Sequence, residues 1–512
     1  MKELTMFSQE KIKELVSSGL KIATEQFSRG QTEDAEIVVK QILKVDPEDQ
    51  QGLQLLGLIK HRKNEHEKAI EIFEKALLIE PSNIENQNNL ALSYAGIGKF
   101  EKAIELLEKA TNIQSKGFMY SNLALQYRNN KNIDKAIENF EKALTLEETA
   151  PTWGMLGGCY GEKQNLEKAE ECFRKALSID PNFAPAHVDL ASIHQLRGEW
   201  TKAWKEYEWR FEVYQQTKFW QQIYEPDKKW KGENLVDKRI MIYSEQGTGD
   251  AIHFMRYVPL LKNLGAHTII HCVDSLASLL KPLADEVYTK DPSQIPVYQK
   301  RPNDFDIPVY DYHCSAMSLP YFLKCEDIPK PPYLHVNKTI NMDDYKNFFK
   351  IGIVWAGNPQ HPNDTNRSCK LNQFRPIYEL PNVKLFSLQK DTRPRAYRFA
   401  NTPIDLTEGT EDMQIVDVSE YMNNFEDTAS IIKGMDLIIS VDTAVAHLAG
   451  ALNHPAWILL AWNPDWRWKL KGEITEWYSS AKLFRQSQVG DWDSVFQTIK
   501  DRLQNDYLLS NK

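Results

Sequence analysis

The sequence lacks the cysteine pairs that mark a disulfide-stapled or zinc-binding protein. Its six cysteines are scattered over 512 residues without a CxxC pair, and no His/Cys spacing suggests a zinc site. This usage excludes a disulfide framework and indicates free thiols in a reducing compartment. An excess of basic residues is lacking as well, since the formal net charge is −9. The chain as a whole therefore has no nucleic-acid-binding footprint.

A long uninterrupted apolar run is also missing. The most apolar region, residues 436–462, is broken by an aspartate, an asparagine and two histidines, so we do not expect a membrane span. The N-terminus, MKELTMFSQEKIKELV, is charged and amphipathic, so no signal peptide is expected there. With 42% hydrophobic and 26% charged residues, the composition is ordinary for a soluble globular protein. We expect a cytoplasmic protein of about three domains.

Residues from about 16 to 217 carry an internal period. One small residue recurs at spacings of 34, 34, 33, 33 and 34 residues, at Ala35, Ala69, Ala103, Ala136, Ala169 and Ala203. This is the tetratricopeptide period. A small residue lets the two helices of a unit approach, while a large apolar residue four positions later fills the layer between units. We predict six repeats, with 2–15 as a capping helix.

An array of this kind usually holds an extended peptide or protein in a concave groove. A spacer or a dimer surface is the alternative. Several asparagines lie on the helices expected to line the groove, among them Asn86, Asn89, Asn122 and Asn129. They either bond to an extended backbone or lie on a solvated face. The last repeat runs into tryptophans at 200, 204 and 209, which we expect to pack against the region that follows.

Beyond the repeats, strands and helices alternate. A strand over 239–243 leads into a loop that holds Gly247, Gly249 and Asp250, and a helix is expected over 251–264. Further strands are expected over 266–272 and 304–309. This alternation predicts a parallel, doubly wound sheet.

The loop at 247–250 matches neither common phosphate-binding motif. It has no third glycine for the dinucleotide fingerprint and no Lys-Ser/Thr for a P-loop. Its glycines let a ligand approach the backbone closely. Asp250 either caps the helix that follows or faces a cleft and removes a proton.

A second α/β half begins with a buried strand at 351–355, and its most informative stretch is SVDTAVAHLAG at 440–450. Asp442 and Thr443 lie at a strand-to-helix turn, the end of a parallel sheet where ligands bind. Free N–H groups at the helix start favour an anion. His447 lies one helical turn after Thr443, so both can face one ligand. The alternative is a helix cap with a structural histidine.

Two halves of similar size imply a cleft lined by loops from both. We expect repeats over 1–217, a first Rossmann-like half over 218–335 on the acceptor side, and a second over 336–512 on the donor side. Within 462–468, the tryptophans, Asp465 and Arg467 either wall the cleft or pack the domains, and packing is the favoured alternative. A helix that returns to the first half is expected to begin near 484–486. The cleft loops contain no Asp-x-Asp pair.

The combination resembles a GT-B glycosyltransferase and is most similar to the heptosyltransferase-like family nine, in the bacterial form fused to tetratricopeptide repeats. The resemblance rests on Gly249 and Asp250 in the first half, and on Asp442-Thr443 followed by His447-Leu448 in the second. It implies an α-helical TPR superhelix followed by an α/β GT-B fold, in which two Rossmann-like domains face a cleft. It also implies Asp250 as general base. By position, Arg367 stands where the family has a phosphate-binding lysine.

The function implied is inverting, metal-independent transfer of a sugar from a nucleotide-sugar donor to a hydroxyl, with no separate cofactor. The acceptor would be a protein, peptide or glycan selected partly by the repeats. The donor-binding residues we predict are Gly247, Gly249, Arg367, Gln389, Asp442, Thr443 and His447. The alternative is a non-catalytic scaffold or sensor that carries a degenerate glycosyltransferase domain.

Overall fold

The computed structural model describes residues 9–214, 223–289, 307–338, 340–361, 363–390 and 405–508. The chain divides into two compact units, 1–186 and 187–512, and the second begins within a helix. The helices of the repeat region are α1 (Gln9–Ser28), α2 (Thr32–Val45), α3 (Gln50–Arg62), α4 (His66–Ile79), α5 (Ile84–Gly96), α6 (Phe100–Ile113), α7 (Gly117–Asn129), α8 (Ile133–Leu146), α9 (Ala150–Glu162), α10 (Leu166–Ile179), α11 (Ala184–Arg197) and α12 (Trp200–Tyr207).

The first unit is built from helix pairs whose packing explains the periodic residues. A Cβ on Gly57 of α3 would lie 2.5 Å from the ring of Phe73 in α4, and one on Gly157 of α9 would lie 2.6 Å from the ring of Phe173 in α10. Small residues on each first helix therefore make room for a large residue on the second. The predicted repeats are confirmed as helix pairs. Residues 9–15 belong to α1 rather than to a separate capping helix, because α1 continues unbroken to Ser28.

All four asparagines singled out in the repeats bond within the array, and two of them join neighbouring repeats. The amide of Asn122 donates to Asn88 Oδ1 at 2.8 Å, which ties α7 to α5. Asn86 is buried, and its amide lies 3.4 Å from Gln50 Oε1 of α3. These two side chains brace neighbouring repeats, which neither of the two sequence-based alternatives anticipated.

The second unit contains two parallel sheets. The first holds β1 (Arg239–Tyr243), β2 (His267–His271), β3 (Glu286–Tyr288) and β4 (Tyr312–Ser315) in the order β3-β2-β1-β4. Its helices are α13 (Arg210–Val213), α14 (Thr248–Phe254), α15 (Val258–Asn263), α16 (Asp274–Leu280) and α17 (Leu319–Phe322). The parallel sheet predicted for this region is confirmed.

Two expectations for the first sheet are wrong in detail. Residues 307–309 are not a strand, and β4 begins only at Tyr312. Pro308 lacks the N–H that a ladder needs, which explains the later start; residues 304–306 lie outside the described chain. The helix expected over 251–264 is broken into α14, a 3-10 turn and α15, because Pro259 has no N–H to bond to the carbonyl four residues earlier.

The second sheet holds β5 (Phe349–Val354), β6 (Val383–Ser387), β7 (Val416–Asp417), β8 (Leu437–Val441), β9 (Ala456–Leu460) and β10 (Ala481–Arg485). Its order is β10-β9-β8-β5-β6-β7, the order of a dinucleotide-binding doubly wound fold. Its helices are α18 (Asp364–Arg367), α19 (Arg375–Tyr378), α20 (Phe425–Gly434), α21 (Ala444–Ala451) and α22 (Trp492–Leu503). Every residue of β8 and β9 is buried, as expected for central strands covered on both faces.

The C-terminal region corrects one prediction. Phe484 and Arg485 belong to β10, which pairs parallel with β9, and the helix begins only at Trp492. The short apolar run within β10 does not by itself select a strand, and pairing with β9 decides its structure. The sheets together with the helical repeats give the predicted architecture, TPR helices followed by an α/β domain of the GT-B type.

The tryptophans of the last repeat pack inside the second unit, as predicted. Trp200 and Trp204 stack with ring centroids 5.5 Å apart. Trp200 also meets Trp477 edge-on at 5.0 Å, and Trp204 meets Phe254 at 6.0 Å. Helix α12 is therefore part of the core of the α/β unit.

The structure also bears on the cysteines and on membrane insertion. All six cysteines are free, which confirms the prediction of free thiols. Burial raises the pKa of Cys272 to about 12, so this thiol is unreactive.

Among the helices that the structure describes, none combines the length and the apolar character needed to cross a bilayer.

Candidate active site

The loops singled out from the sequence lie where the strand order of each sheet reverses. In the first sheet this is the β1/β4 boundary, and in the second the β5/β8 boundary. Ligands bind outside the carboxyl ends of the strands at such a point. Helices α14 and α21 begin at these two points and pack against each other. The structure thus brings the two predicted motifs together.

Gly249 lies where the two halves approach each other closely. A Cβ at this position would lie 3.0 Å from Cδ2 of His447 and 3.5 Å from Cα of Ala444. A side chain here would push the first turn of α14 away from the first turn of α21. The glycine is therefore required by the approach of the two halves. Gly247, two residues earlier, is the N-cap residue of α14.

Asp250 lies in the first turn of α14 and faces the junction between the halves. As the acidic residue of the first turn, it lies where the helix dipole favours a carboxylate, as one of the two alternatives expected. Its Oδ1 also accepts a hydrogen bond of 2.5 Å from Nη2 of Arg467, and the side chain keeps 26% exposure. Burial raises the pKa of Asp250, the nearby carboxylate of Asp465 adds to this effect, and Arg467 opposes it.

Arg467 is a functional candidate for which the sequence favoured packing over a place in the cleft wall. It follows β9, its side chain is only 5% exposed, and its Nη1 donates to Asp465 Oδ1 at 2.9 Å. Its guanidinium lies 4.3 Å above the ring of Trp466. The sequence signal for Arg467 was the run Asp-Trp-Arg-Trp. Charged side chains placed among tryptophans are expected to be buried, and a buried charge needs a partner of opposite charge.

Arg367 lies at the reversal point of the second sheet. Its Nη1 donates to the carbonyl of Asp442 at 3.1 Å, and its Nε donates to Asp364 Oδ1 at 3.0 Å. A Cβ on Gly357 would lie 2.4 Å from Nη2 of Arg367 and 2.4 Å from Oδ1 of Asp364, so glycine is needed in the loop above. The structure therefore anchors this cation at the carboxyl end of β8.

Thr443 is the N-cap residue of α21, but it does not cap that helix through its side chain. Its hydroxyl instead lies 3.1 Å from Ser440 Oγ. The first N–H groups of α21 are thus not bonded by this side chain. Beside it, burial and the Asp465 carboxylate raise the pKa of Asp442 to about 6, against the effect of Arg367.

His447 and Gln389 support the loops of the site. Nε2 of His447 lies 3.8 Å from Asp442 Oδ1, and burial lowers the pKa of His447 well below its usual value, so the ring stays neutral. Gln389 is buried, and its Oε1 accepts a hydrogen bond of 3.1 Å from the N–H of Ala356. This bond fixes the loop that follows β5.

Tyr478 joins the two halves beneath this site. Its hydroxyl lies 2.8 Å from Nδ1 of His253 on α14 and 2.9 Å from Nδ1 of His447 on α21. Arg256 donates to the carbonyl of Trp477 at 3.1 Å and to the hydroxyl of Tyr333 at 3.2 Å. The sequence carried no signal for this network, because its members are separated along the chain and lie in apolar surroundings.

The charged side chains of the site come from both halves. In the part of the chain that the structure describes, no group of three or more His, Cys, Asp or Glu side chains is placed to hold a metal ion. Two arginines and three aspartates contribute to the electrostatics of the site, namely Arg367, Arg467, Asp250, Asp442 and Asp465.

Comparison with known proteins agrees with this arrangement. Tetratricopeptide-repeat models match residues 51–116, 119–149 and 150–183. The model of glycosyltransferase family 9 (heptosyltransferase) matches residues 384–469. The chain therefore joins tetratricopeptide repeats to a region that matches glycosyltransferase family 9. The family-nine match includes Arg467 together with the Asp442–His447 motif.

Individual relatives are distant. The chain is 23% identical to the protein FlbA of Caulobacter vibrioides over 333 residues, which cover 62% of this chain and 54% of FlbA. The chain thus spans about half the length of this curated relative. Among solved structures, PilF of Pseudomonas aeruginosa is 18% identical, with a TM-score of 0.36 over 40% of this chain and 94% of PilF. A thermophilic TPR protein of Thermus thermophilus is 21% identical, with a TM-score of 0.32 over 35% of this chain and 98% of that protein.

Proposed function

We propose that the α/β unit transfers a sugar from a nucleotide-sugar donor to a hydroxyl of an acceptor, with inversion and without a metal ion. One observation carries the proposal: Gly249, the neighbour of Asp250, lies against Ala444 and His447 of α21, the helix that follows the Arg367-anchored end of β8. Such a site supplies a base on one side and a cation with free helix N–H groups on the other.

The donor diphosphate would bind at the start of α21. The first-turn N–H groups and the guanidinium of Arg367 lie at the same reversal point and both favour phosphate oxygens. As the bond between the anomeric carbon and the diphosphate breaks, negative charge grows on the leaving oxygen. Fixed donors stabilise that charge without reorganising, which lowers the barrier.

Asp250 would take the proton of the acceptor hydroxyl. As that proton moves to the carboxylate, the hydroxyl oxygen attacks the anomeric carbon from the face opposite the diphosphate. A single displacement of this kind inverts the anomeric centre. The raised pKa of Asp250, caused by burial, makes its carboxylate a stronger base than an exposed aspartate.

The repeats would select the acceptor. A tetratricopeptide array offers an extended surface to a protein, peptide or glycan-bearing chain. Within this proposal the domains keep their predicted bounds, with repeats over 1–217, the acceptor half over 218–335 and the donor half over 336–512. Free thiols also favour the cytoplasm as the location.

A donor panel tests the proposal. The purified chain is incubated with a set of nucleotide sugars, and thermal protection and donor turnover are both measured. Asp250→Asn should keep the protection but lose at least about 100-fold in turnover, the usual contribution of a general base. Arg367→Met should lose the protection itself, because it removes the cation at the diphosphate.

The matched control is Arg375→Met. Arg375 belongs to the same half but pairs with Asp412 at the surface, at 2.6 Å. This variant should behave like the unmodified chain. Protection by none of the donors would instead favour the non-catalytic scaffold, and unchanged turnover in Asp250→Asn would remove Asp250 from the mechanism.

A further inference from the structure

The hydrogen bond between Asp250 and Arg467 crosses from one half of the α/β unit to the other. Asp250 belongs to α14 beside the first sheet, and Arg467 follows β9 of the second sheet. Their side chains meet at 2.5 Å although 217 positions separate them in sequence. The predicted base is therefore held by a residue of the donor half.

Arg467 is itself fixed from behind. Oδ1 of Asp465 accepts one hydrogen bond of 2.9 Å from its Nη1 and another of 3.0 Å from its backbone N–H. The guanidinium lies over Trp466 at 4.3 Å and over Phe254 at 5.5 Å. A buried guanidinium cannot lose its charge, so it needs a carboxylate beside it.

The tryptophan under Arg467 is held by the last repeat helix. Trp466 meets Trp204 of α12 at 5.8 Å, and Trp204 also meets Phe254 of α14 at 6.0 Å. One side chain of α12 thus contacts both a neighbour of Arg467 and the helix that carries Asp250. This packing restricts the freedom of both partners of the ion pair.

The charged groups near Asp250 come from several elements. Arg467 lowers the pKa of Asp250 and the carboxylate of Asp465 raises it, both from the turn after β9. His361, on the loop after β5, lowers it when protonated. Tyr207 of α12 lies close enough that Asp250 helps to raise its pKa. Arg467 is the cation in direct contact.

We propose that Arg467 is the positioning residue of Asp250: it reaches across from the donor half, fixes Oδ1 of the carboxylate and leaves Oδ2 to the acceptor hydroxyl. Asp465 aims the guanidinium. Because the two partners of this ion pair belong to different halves, closure of the halves and the orientation of the Asp250 carboxylate are coupled. The kinetic part of this inference rests on the proposed function, whereas the ionisation of Asp250 is independent of it.

Arg467 and Asp465 carry opposite charges near Asp250, so removing one or the other should shift the protonation of Asp250 in opposite directions. Arg467→Met removes a cation, so Asp250 should take up its proton at higher pH. Asp465→Asn removes an anion but keeps an acceptor oxygen for Arg467, so Asp250 should take up its proton at lower pH. Arg467→Lys keeps the charge and should restore most of the unmodified behaviour.

The first measurement is the pH–rate profile of transfer by the full chain. The acidic limb of the profile should move to higher pH for Arg467→Met and to lower pH for Asp465→Asn. On that limb Arg467→Met should lose about tenfold or more, the size expected for removing a cation in contact with a carboxylate. A uniform loss at every pH, or a shift of both variants in one direction, would overturn the inference.

The second measurement needs neither donor nor acceptor. Infrared difference spectra follow the protonated carboxyl band of Asp250, assigned by subtracting the spectrum of Asp250→Asn. The same opposite shifts should appear in this band. If they appear while no donor is turned over, the positioning role holds and the proposed function fails. If the band titrates identically in all three chains, the positioning role fails, whatever the turnover.

Discussion

Gly450 is packed so closely against the ring of Tyr478 that a larger residue does not fit. A Cβ at Gly450 would lie 2.3 Å from Cγ and 2.4 Å from Cδ1 of that ring. The ring is fully buried, and its hydroxyl joins His253 and His447, so it cannot move aside without breaking those bonds. We predict that Gly450→Ala destabilises the second unit.

Two opposing effects set the size of this change. Gly450 lies inside α21, where alanine gains about 1 kcal/mol over glycine through helix propensity. Forcing an extra carbon into a packed core costs about 1–3 kcal/mol. Because the contact is made with a rigid ring, the cost falls at the upper end of that range. The net loss should be about 1–2 kcal/mol.

Gly434→Ala is the matched control. Gly434 ends α20, and its added Cβ would meet only the flexible side chain of Met342, at 3.2 Å from Cγ and 3.6 Å from Cε. This variant should keep its stability or gain slightly. Urea unfolding followed by tryptophan fluorescence gives the free energy of unfolding of each variant.

A double-mutant cycle identifies the clash. Tyr478→Leu removes the ring, so Gly450→Ala should cost less in that background than in the unmodified chain. Equal unfolding free energies for Gly450→Ala and Gly434→Ala would refute the reasoning. Equal costs in the two backgrounds would refute it as well.

Three further predictions concern the site and its surroundings. Trp204→Ala should destabilise the second unit by about 3–5 kcal/mol, as truncation of a buried tryptophan does; an unchanged thermal midpoint would contradict this. Gly357→Ala should weaken donor protection without unfolding the chain, because its Cβ would lie 2.4 Å from Nη2 of Arg367; a thermal-shift titration measures the loss. Burial lowers the pKa of His313 from 6.5 to about 4, so the unfolded chain takes up this proton first. The contribution of neutral His313 to the free energy of unfolding is full above pH 6.5 and is lost as the pH falls towards 4. In His313→Gln, the urea midpoint should therefore decline less over this pH range.

The repeats were predictable because their information is local. A small residue in phase with a large one recurs at each helix pair, and the structure packs these residues as Gly57 against Phe73. The strand, turn and helix at β8 and α21 were predictable for the same reason. The strand β10 was not predictable, because its short apolar segment is compatible with a helix or a strand. Only pairing with β9 selects the strand.

The motifs of the candidate site were predicted from the residues and from resemblance to a family, whereas their partners were not. Asp250 was named from the Gly-Asp that follows the first strand, whereas packing was the favoured role for Arg467. Nothing near Asp250 in sequence points to a partner 217 positions away. The same holds for Tyr478, which bonds to His253 and His447 from the two halves.

The sequence by itself determined the helical register of the repeats, the two strand-loop-helix motifs and the order of the α/β halves. These features follow from periodicity and turn chemistry, which act over a few residues. Only the tertiary structure decided which arginine meets Asp250 and which tyrosine joins the halves. Those pairings arise when the halves close and buried charges must find partners through space.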